Sequence, residues 1–68
     1  MTTMIKQKEI GKFYITLEMT ERWNQPIYKV SFNEKRGDQY YTDNEITYPI
    51  ESKNKALATF NRYCKKAF

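Results

Sequence analysis

Residues Lys12–Met19 read KFYITLEM. Phe13, Ile15, Leu17 and Met19 alternate with Lys12, Tyr14, Thr16 and Glu18, so one set is wholly apolar and the other mixed. Successive side chains of an extended chain point to opposite faces, and this alternation predicts a strand with one face buried. Such a strand needs neighbours to pair with and an apolar cover for its buried face. The sequence on either side supplies both.

Downstream, Thr20–Pro26 reads as a connection. Pro26 biases Gln25 toward extended geometry and opens a strand without forfeiting a needed donor. A second strand follows at Ile27–Asn33, with Tyr28, Val30 and Phe32 toward the core and Ile27, Lys29 and Ser31 away from it. Asn33–Asp38 (NEKRGD) predicts a hairpin loop in which Gly37 supplies a positive φ. From Gln39 onward, Tyr40, Thr42, Ile46, Tyr48 and Ile50 share parity, but Asn44 falls on the same face. Two readings fit: one long strand with a bulge, which is favoured, or two short strands turning at Asp43-Asn44. Upstream, Gly11 marks a bend, and Met4–Ile10 is either an extra strand or a frayed end.

The cover is a helix. Ser52 is a suitable N-cap, and Pro49 lies outside the helical segment, where it does no harm. At 100° per residue, Ala56, Leu57, Phe60, Tyr63, Cys64, Ala67 and Phe68 form one apolar stripe, while Lys55, Arg62, Lys65 and Lys66 form a basic ridge opposite. The sequence therefore predicts a single α+β domain over residues 1–68, a three-stranded antiparallel sheet packed on one face by one C-terminal helix. This order of elements resembles that of three-stranded-sheet-plus-helix DNA-binding domains, the integrase arm-binding domains among them, which lay the sheet in the major groove. The resemblance is one of architecture, and no motif of those families is present.

A chain of 68 residues buries only about 60% of its unfolded surface, so stability has to come from packing, cross-links or a partner. Cys64 is the only cysteine and there is no histidine, so neither an internal disulfide nor a Cys/His zinc site is expected. Six Tyr, four Phe and one Trp provide the packing alternative. Acid–base catalysis near neutrality most often uses histidine, and Cys64 on the apolar stripe reads as a small core filler. Asp38, Asp43 and Glu45 lack the spacing of a calcium loop, and Gly11 and Gly37 cannot form a phosphate loop. The expectation is a protein without enzymatic activity, cofactor or metal. No run approaches the roughly 20 apolar residues of a membrane span, and Met1–Ile10 lacks the apolar stretch of a signal peptide. A cytoplasmic setting follows as the default. Lys, Asn, Ile and Tyr make up 26 of the 68 residues, which favours an AT-rich bacterial genome, or a phage or plasmid within one.

Residues 1–51 sum to −1, whereas residues 52–68 carry Lys53, Lys55, Arg62, Lys65, Lys66 and no acid. The whole +4 excess thus sits on the helix, where it would attract a polyanion. Lys65 and Lys66 also suit the helix C-terminus electrostatically and need no other explanation, whereas Lys53, a cation in the first turn, opposes the helix dipole. The second candidate surface is the uncovered sheet face, with Tyr14, Lys29 and Tyr41, together with Trp23 in the connection before the second strand. Trp and Tyr dominate interface energetics, and this face is close to neutral. Two functions are therefore expected: a protein-binding module, an adaptor or inhibitor with a protein partner or a second copy of itself, through Tyr14, Trp23, Lys29 and Tyr41; or a nucleic-acid-binding module through Lys55, Arg62, Lys65 and Lys66.

Overall fold

The computed structural model describes Thr2–Ala67 as an α+β fold. Strands β1 (Thr3–Ile10), β2 (Phe13–Arg22), β3 (Gln25–Arg36) and β4 (Gln39–Pro49) form one antiparallel sheet in sequence order. A short 3-10 turn (Ile50–Ser52) leads into helix α1 (Lys53–Ala67), which packs across one face.

The sheet has four strands, not the three expected from the sequence. Of the two readings left open for Met4–Ile10, the extra strand is the one observed. Its sequence gave no clear signal because every residue of β1 except Ile10 is exposed, so burial imposes no alternation on it. Its register also shifts: Met4 pairs with Glu18 but Lys6 pairs with Leu17, leaving Ile5 as a bulge that reverses side-chain parity. Backbone pairing with β2, and not an apolar pattern, defines this strand.

The connections are shorter than expected. Most of Thr20–Pro26 and Asn33–Asp38 belongs to strands, because the ladders continue until two residues remain: Gly11-Lys12, Trp23-Asn24 and Gly37-Asp38. Gly11 and Gly37 have φ of +57° and +64° at the first turn position, the pattern of a type II′ hairpin turn. In the middle turn both residues are left-handed, Trp23 at +54° and Asn24 at +63°, the type I′ pattern.

β4 is one bulged strand, the alternative favoured from the sequence. Phe32 pairs with Asn44 and Asn33 with Thr42, so Asp43 is unpaired and parity reverses there. Ile46 and Tyr48 therefore face α1, while Tyr40 and Thr42 face the opposite side. Asn33 holds this irregularity across three strands: its amide nitrogen donates to the Tyr14 carbonyl (3.0 Å) and its amide oxygen accepts from the Thr42 hydroxyl (2.7 Å).

The core lies between β2, β3 and α1. Ile15, Leu17, Val30 and Phe32 meet Ala56, Phe60, Tyr63 and Cys64, as the apolar patterns predict. Phe32 lies against Phe13 and edge-on to Tyr63, with centroids 5.0 and 5.5 Å away. Thr59 is an unexpected member of the core; its hydroxyl lies 2.5 Å from that of Tyr48, which satisfies both polar groups. Leu57 sits at the edge of the stripe and is partly buried. Phe68, also expected on the stripe, lies outside the described residues. The helix is entered through the 3-10 turn, so Ser52 ends that turn in place of serving as a free-standing cap.

Candidate partner-binding surface

The basic surface of the protein lies on the helix side of the sheet. α1 presents Lys53, Lys55, Arg62, Lys65 and Lys66 to solvent, with Lys66 lying 5.4 Å from the Phe32 ring centroid. Past the β1 bulge, Lys6 and Lys8 pair with Leu17 and Ile15 and so share the helix side. The Lys6 ammonium stands 5.6 Å from the Phe60 centroid, its stem lying along apolar surface. Burial pushes the Cys64 thiol above its ordinary range, with Lys8 and Lys6 opposing the shift only weakly. Cys64 is buried within the core cluster, the position of the small filler expected from the sequence.

The open face is built in rows fixed by the strand registers. Gln7, Thr16, Ser31 and Glu45 lie side by side across all four strands. On one side of this row stand Tyr14 and Asn33, on the other Glu18 and Lys29. Only the two central members of this row, Thr16 and Ser31, are short-chained and the side chains around them are long, so the centre of the face is a trough of ≈ 590 Å³ with Thr16 and Ser31 as its floor. Those two residues are only 4% and 5% exposed, although no element covers them. The Tyr14 and Tyr40 rings close one end, with centroids 5.8 Å apart, and the Tyr14 hydroxyl donates to the Gln7 side chain. Three carboxylates, Glu9, Glu18 and Glu45, line the trough against one cation, Lys29.

The residues nominated from the sequence for partner binding do not form one patch. Tyr14 and Lys29 share the trough. Tyr41 was expected on the same face, but the Asp43 bulge turns it to the helix side, beyond α1. There the Arg36 guanidinium stacks 5.2 Å from its ring and pairs with Glu34 at 2.6 Å, and Lys12 reaches Glu34 at 3.4 Å. The hydrogen bond from Arg36 is the main reason the Glu34 carboxyl sits below its usual range. Tyr40 takes the trough position in place of Tyr41; an assigned bulge would have moved it there. Trp23 caps nothing. It stands 91% exposed at the tip of the β2–β3 hairpin, on the left-handed backbone of its turn. Lys55, Arg62, Lys65 and Lys66 all lie on the exposed side of α1, as expected, but the basic surface reaches further, onto β1.

Among the described residues no three Cys, Asp or Glu side chains gather as a metal site, and no helix is long and apolar enough to cross a membrane. Comparison of the chain with protein-family models, curated proteins and solved structures finds no match.

Proposed function

We propose that the protein is a non-enzymatic protein-binding module, an adaptor or inhibitor, whose contact surface runs from the Trp23 hairpin tip onto the open face of the sheet. The observation that carries this reading is Trp23. A bulky residue with positive φ is a conformational outlier, and the left-handed region costs an L-residue about 1–2 kcal/mol. Asn-Gly would make the same type I′ turn without that cost. Here the position holds the only tryptophan of the chain, 91% exposed and in no core contact. An indole kept where it destabilises the free protein fits a hot-spot anchor that is buried by a partner. The tip lies roughly 20 Å along the strands from the Thr16–Ser31 floor, at about 3.3 Å per residue, within the reach of one ordinary interface.

The test is partner capture from host lysate, with and without nuclease, using the native chain and Trp23→Ala. Capture should survive nuclease and fall at least tenfold in the variant. Capture that disappears with nuclease treatment favours the second reading, a nucleic-acid-binding module. That reading gains from Lys6 and Lys8, which extend the ridge of Lys55, Arg62, Lys65 and Lys66 into a broader basic surface. With three or four phosphate contacts, the slope of log K against log salt would be roughly −3 to −4 on duplex DNA.

A further inference from the structure

We infer that the outer edge of β4 is a strand-addition site, taken by an extended acidic segment of a partner protein that pairs with Asn44–Tyr48 beside the basic flank of α1. The inference rests on the protein-binding reading and adds a second contact to the Trp23 tip.

The open edge is the first ground. β4 ends the four-stranded order, so only its β3 side is paired. Outside helices and strand ladders, the described residues make one backbone–backbone hydrogen bond, from Lys35 to Lys12. The outward N–H and C=O groups of β4 therefore meet no other backbone. Past the Asp43 bulge the register is regular, and Asn44–Tyr48 holds a single charge, Glu45, turned to the open face. Charged side chains, lysine above all, blunt an exposed edge. β1, the other edge, carries Lys6 and Lys8, whereas Asn44–Tyr48 has no lysine. Ile46 is 37% exposed here on the helix side, apolar surface that an added strand would cover.

The second and independent ground is the flank of α1 above that edge. Lys55, Thr59, Arg62 and Lys66 follow at intervals of four, three and four, so they share one side of the helix. Thr59 fixes which side, because its hydroxyl lies 2.5 Å from that of Tyr48 on β4. Phe60, by contrast, meets Lys6 of β1. Lys66 lies 5.4 Å from the Phe32 centroid, and Phe32 pairs with Asn44, so the row runs from beyond Tyr48 to the level of Asn44. It spans about 16 Å at 1.5 Å per helical residue, the length of about five strand residues. Among the described residues none of these three cations is in an ion pair.

Together the two features name the occupant. Unpaired peptide groups at strand spacing call for another peptide, which a nucleic acid does not supply. The cations beside them call for carboxylates on alternate residues, those that face α1. A second copy of this chain fits poorly: its β4 would bring a second basic flank against the first, and its β1 would bring Lys6 and Lys8 to the same side. The Pro49 end of β4 is also the end at which the Trp23 hairpin projects, so one partner can meet both.

The test is an NMR titration of the native chain with acetyl-Glu-Thr-Glu-Val-Glu-Thr-amide, beside the same peptide with glutamine or lysine in place of glutamate. A strand this short should bind on the order of 0.1–1 mM. Saturable shifts should centre on the amides of Asn44–Tyr48 and reach Arg62 and Lys66, weaker for glutamine and absent for lysine. Arg62→Gln and Lys66→Gln should each weaken the glutamate peptide by about two- to fivefold, the scale of one exposed ion pair. Both positions are exposed on α1, and the same spectra show whether each variant is folded. Two N-methylated peptides, one for each alternating set of amides, read the backbone pairing: one should lose binding and the other keep it. No saturable shift, shifts centred off β4, an equal response to the glutamine peptide, insensitivity to both helix changes, or a like response to both N-methylated peptides would each overturn the proposal. So would a short DNA duplex that binds the helix flank more tightly than the peptide and leaves the β4 amides unmoved. If Trp23→Ala abolishes partner capture while these titrations fail, protein binding stands and the strand site falls. If the titrations succeed while capture ignores Trp23, the site stands and the hairpin anchor falls.

Discussion

At the centre of β2 and β3, the two faces of the sheet are almost equally inaccessible, for opposite reasons. Ile15, Leu17 and Val30 are fully buried because α1 lies on them. Thr16 and Ser31, one residue along on the other face, are almost as buried with no element above them; only the longer side chains around them shut them in. Burial by a packed layer is apolar and stabilises the fold. Burial by a palisade of neighbours is polar and leaves a floor that a ligand can reach. Composition, and not accessibility, separates core from candidate site in this protein.

The largest effect expected from that distinction is on stability. Phe60→Ala should cost about 3–5 kcal/mol in denaturant unfolding, close to the whole stability of a domain this small. Ser31→Ala, at a similar depth on the open face, should change it by less than about 0.5 kcal/mol, since it opens no cavity in the core. Comparable losses at the two positions would break the comparison.

Next comes the hairpin tip. Combining Trp23→Asn with Asn24→Gly should stabilise the free protein by about 1–2 kcal/mol. The melting temperature should rise by about 4–8 °C for each kcal/mol. A tip that loses stability on this exchange would mean that Trp23 has packing of its own and is no idle anchor.

The covered face should also show in alkali. Burial raises the Cys64 thiol and the Tyr63 phenol, so both ionise more readily in the unfolded chain. Their contribution to stability is complete below the unfolded values and declines as pH rises from about 8.5, the ordinary thiol value, toward the raised folded ones. Cys64→Ala should delay the onset of the alkaline fall in melting temperature. An unchanged onset would place the thiol in contact with water.

The smallest effect concerns Glu34, on the helix side beyond α1. Its carboxyl is lowered chiefly by the Arg36 hydrogen bond, so its contribution is present above the ordinary glutamate range and is lost as pH falls through the lower folded value. Arg36→Gln should flatten the decline in melting temperature below about pH 4.3, the ordinary glutamate value. An acid limb as steep as in the native chain would show that this exposed cluster contributes nothing.

What could be read from the sequence followed burial. β2, β3 and α1 announce themselves because the core forces period two on Phe13–Met19 and Tyr28–Phe32 and a helical stripe on Ala56–Ala67. β1 and β4 are edge strands, exposed along most of their length, so nothing forces their patterns. Each also contains a bulge, at Ile5 and at Asp43, that reverses parity midway. That reversal explains why Tyr41 was placed on the open face when Tyr40 is there, and why Lys6 and Lys8 were not counted with the basic helix. Tyr14 and Lys29, on the well-patterned strands, were placed on the correct face. The trough itself needs the register of all four strands, which pairs Thr16 with Ser31 and Ser31 with Glu45; no single segment holds that information.

The three two-residue turns also bear on how fast the molecule forms. Each strand meets its immediate predecessor in the chain, and such hairpins close in about 1–10 μs. The docking of α1 is different: bringing Phe60 beside Lys6 closes almost the whole chain. The sheet can therefore zip up before the helix arrives, and during that interval Ile15, Leu17, Val30 and Phe32 present a bare apolar face. Two such faces meeting before their helices do would begin aggregation, so the rate at which α1 lands limits how concentrated the nascent protein can safely become.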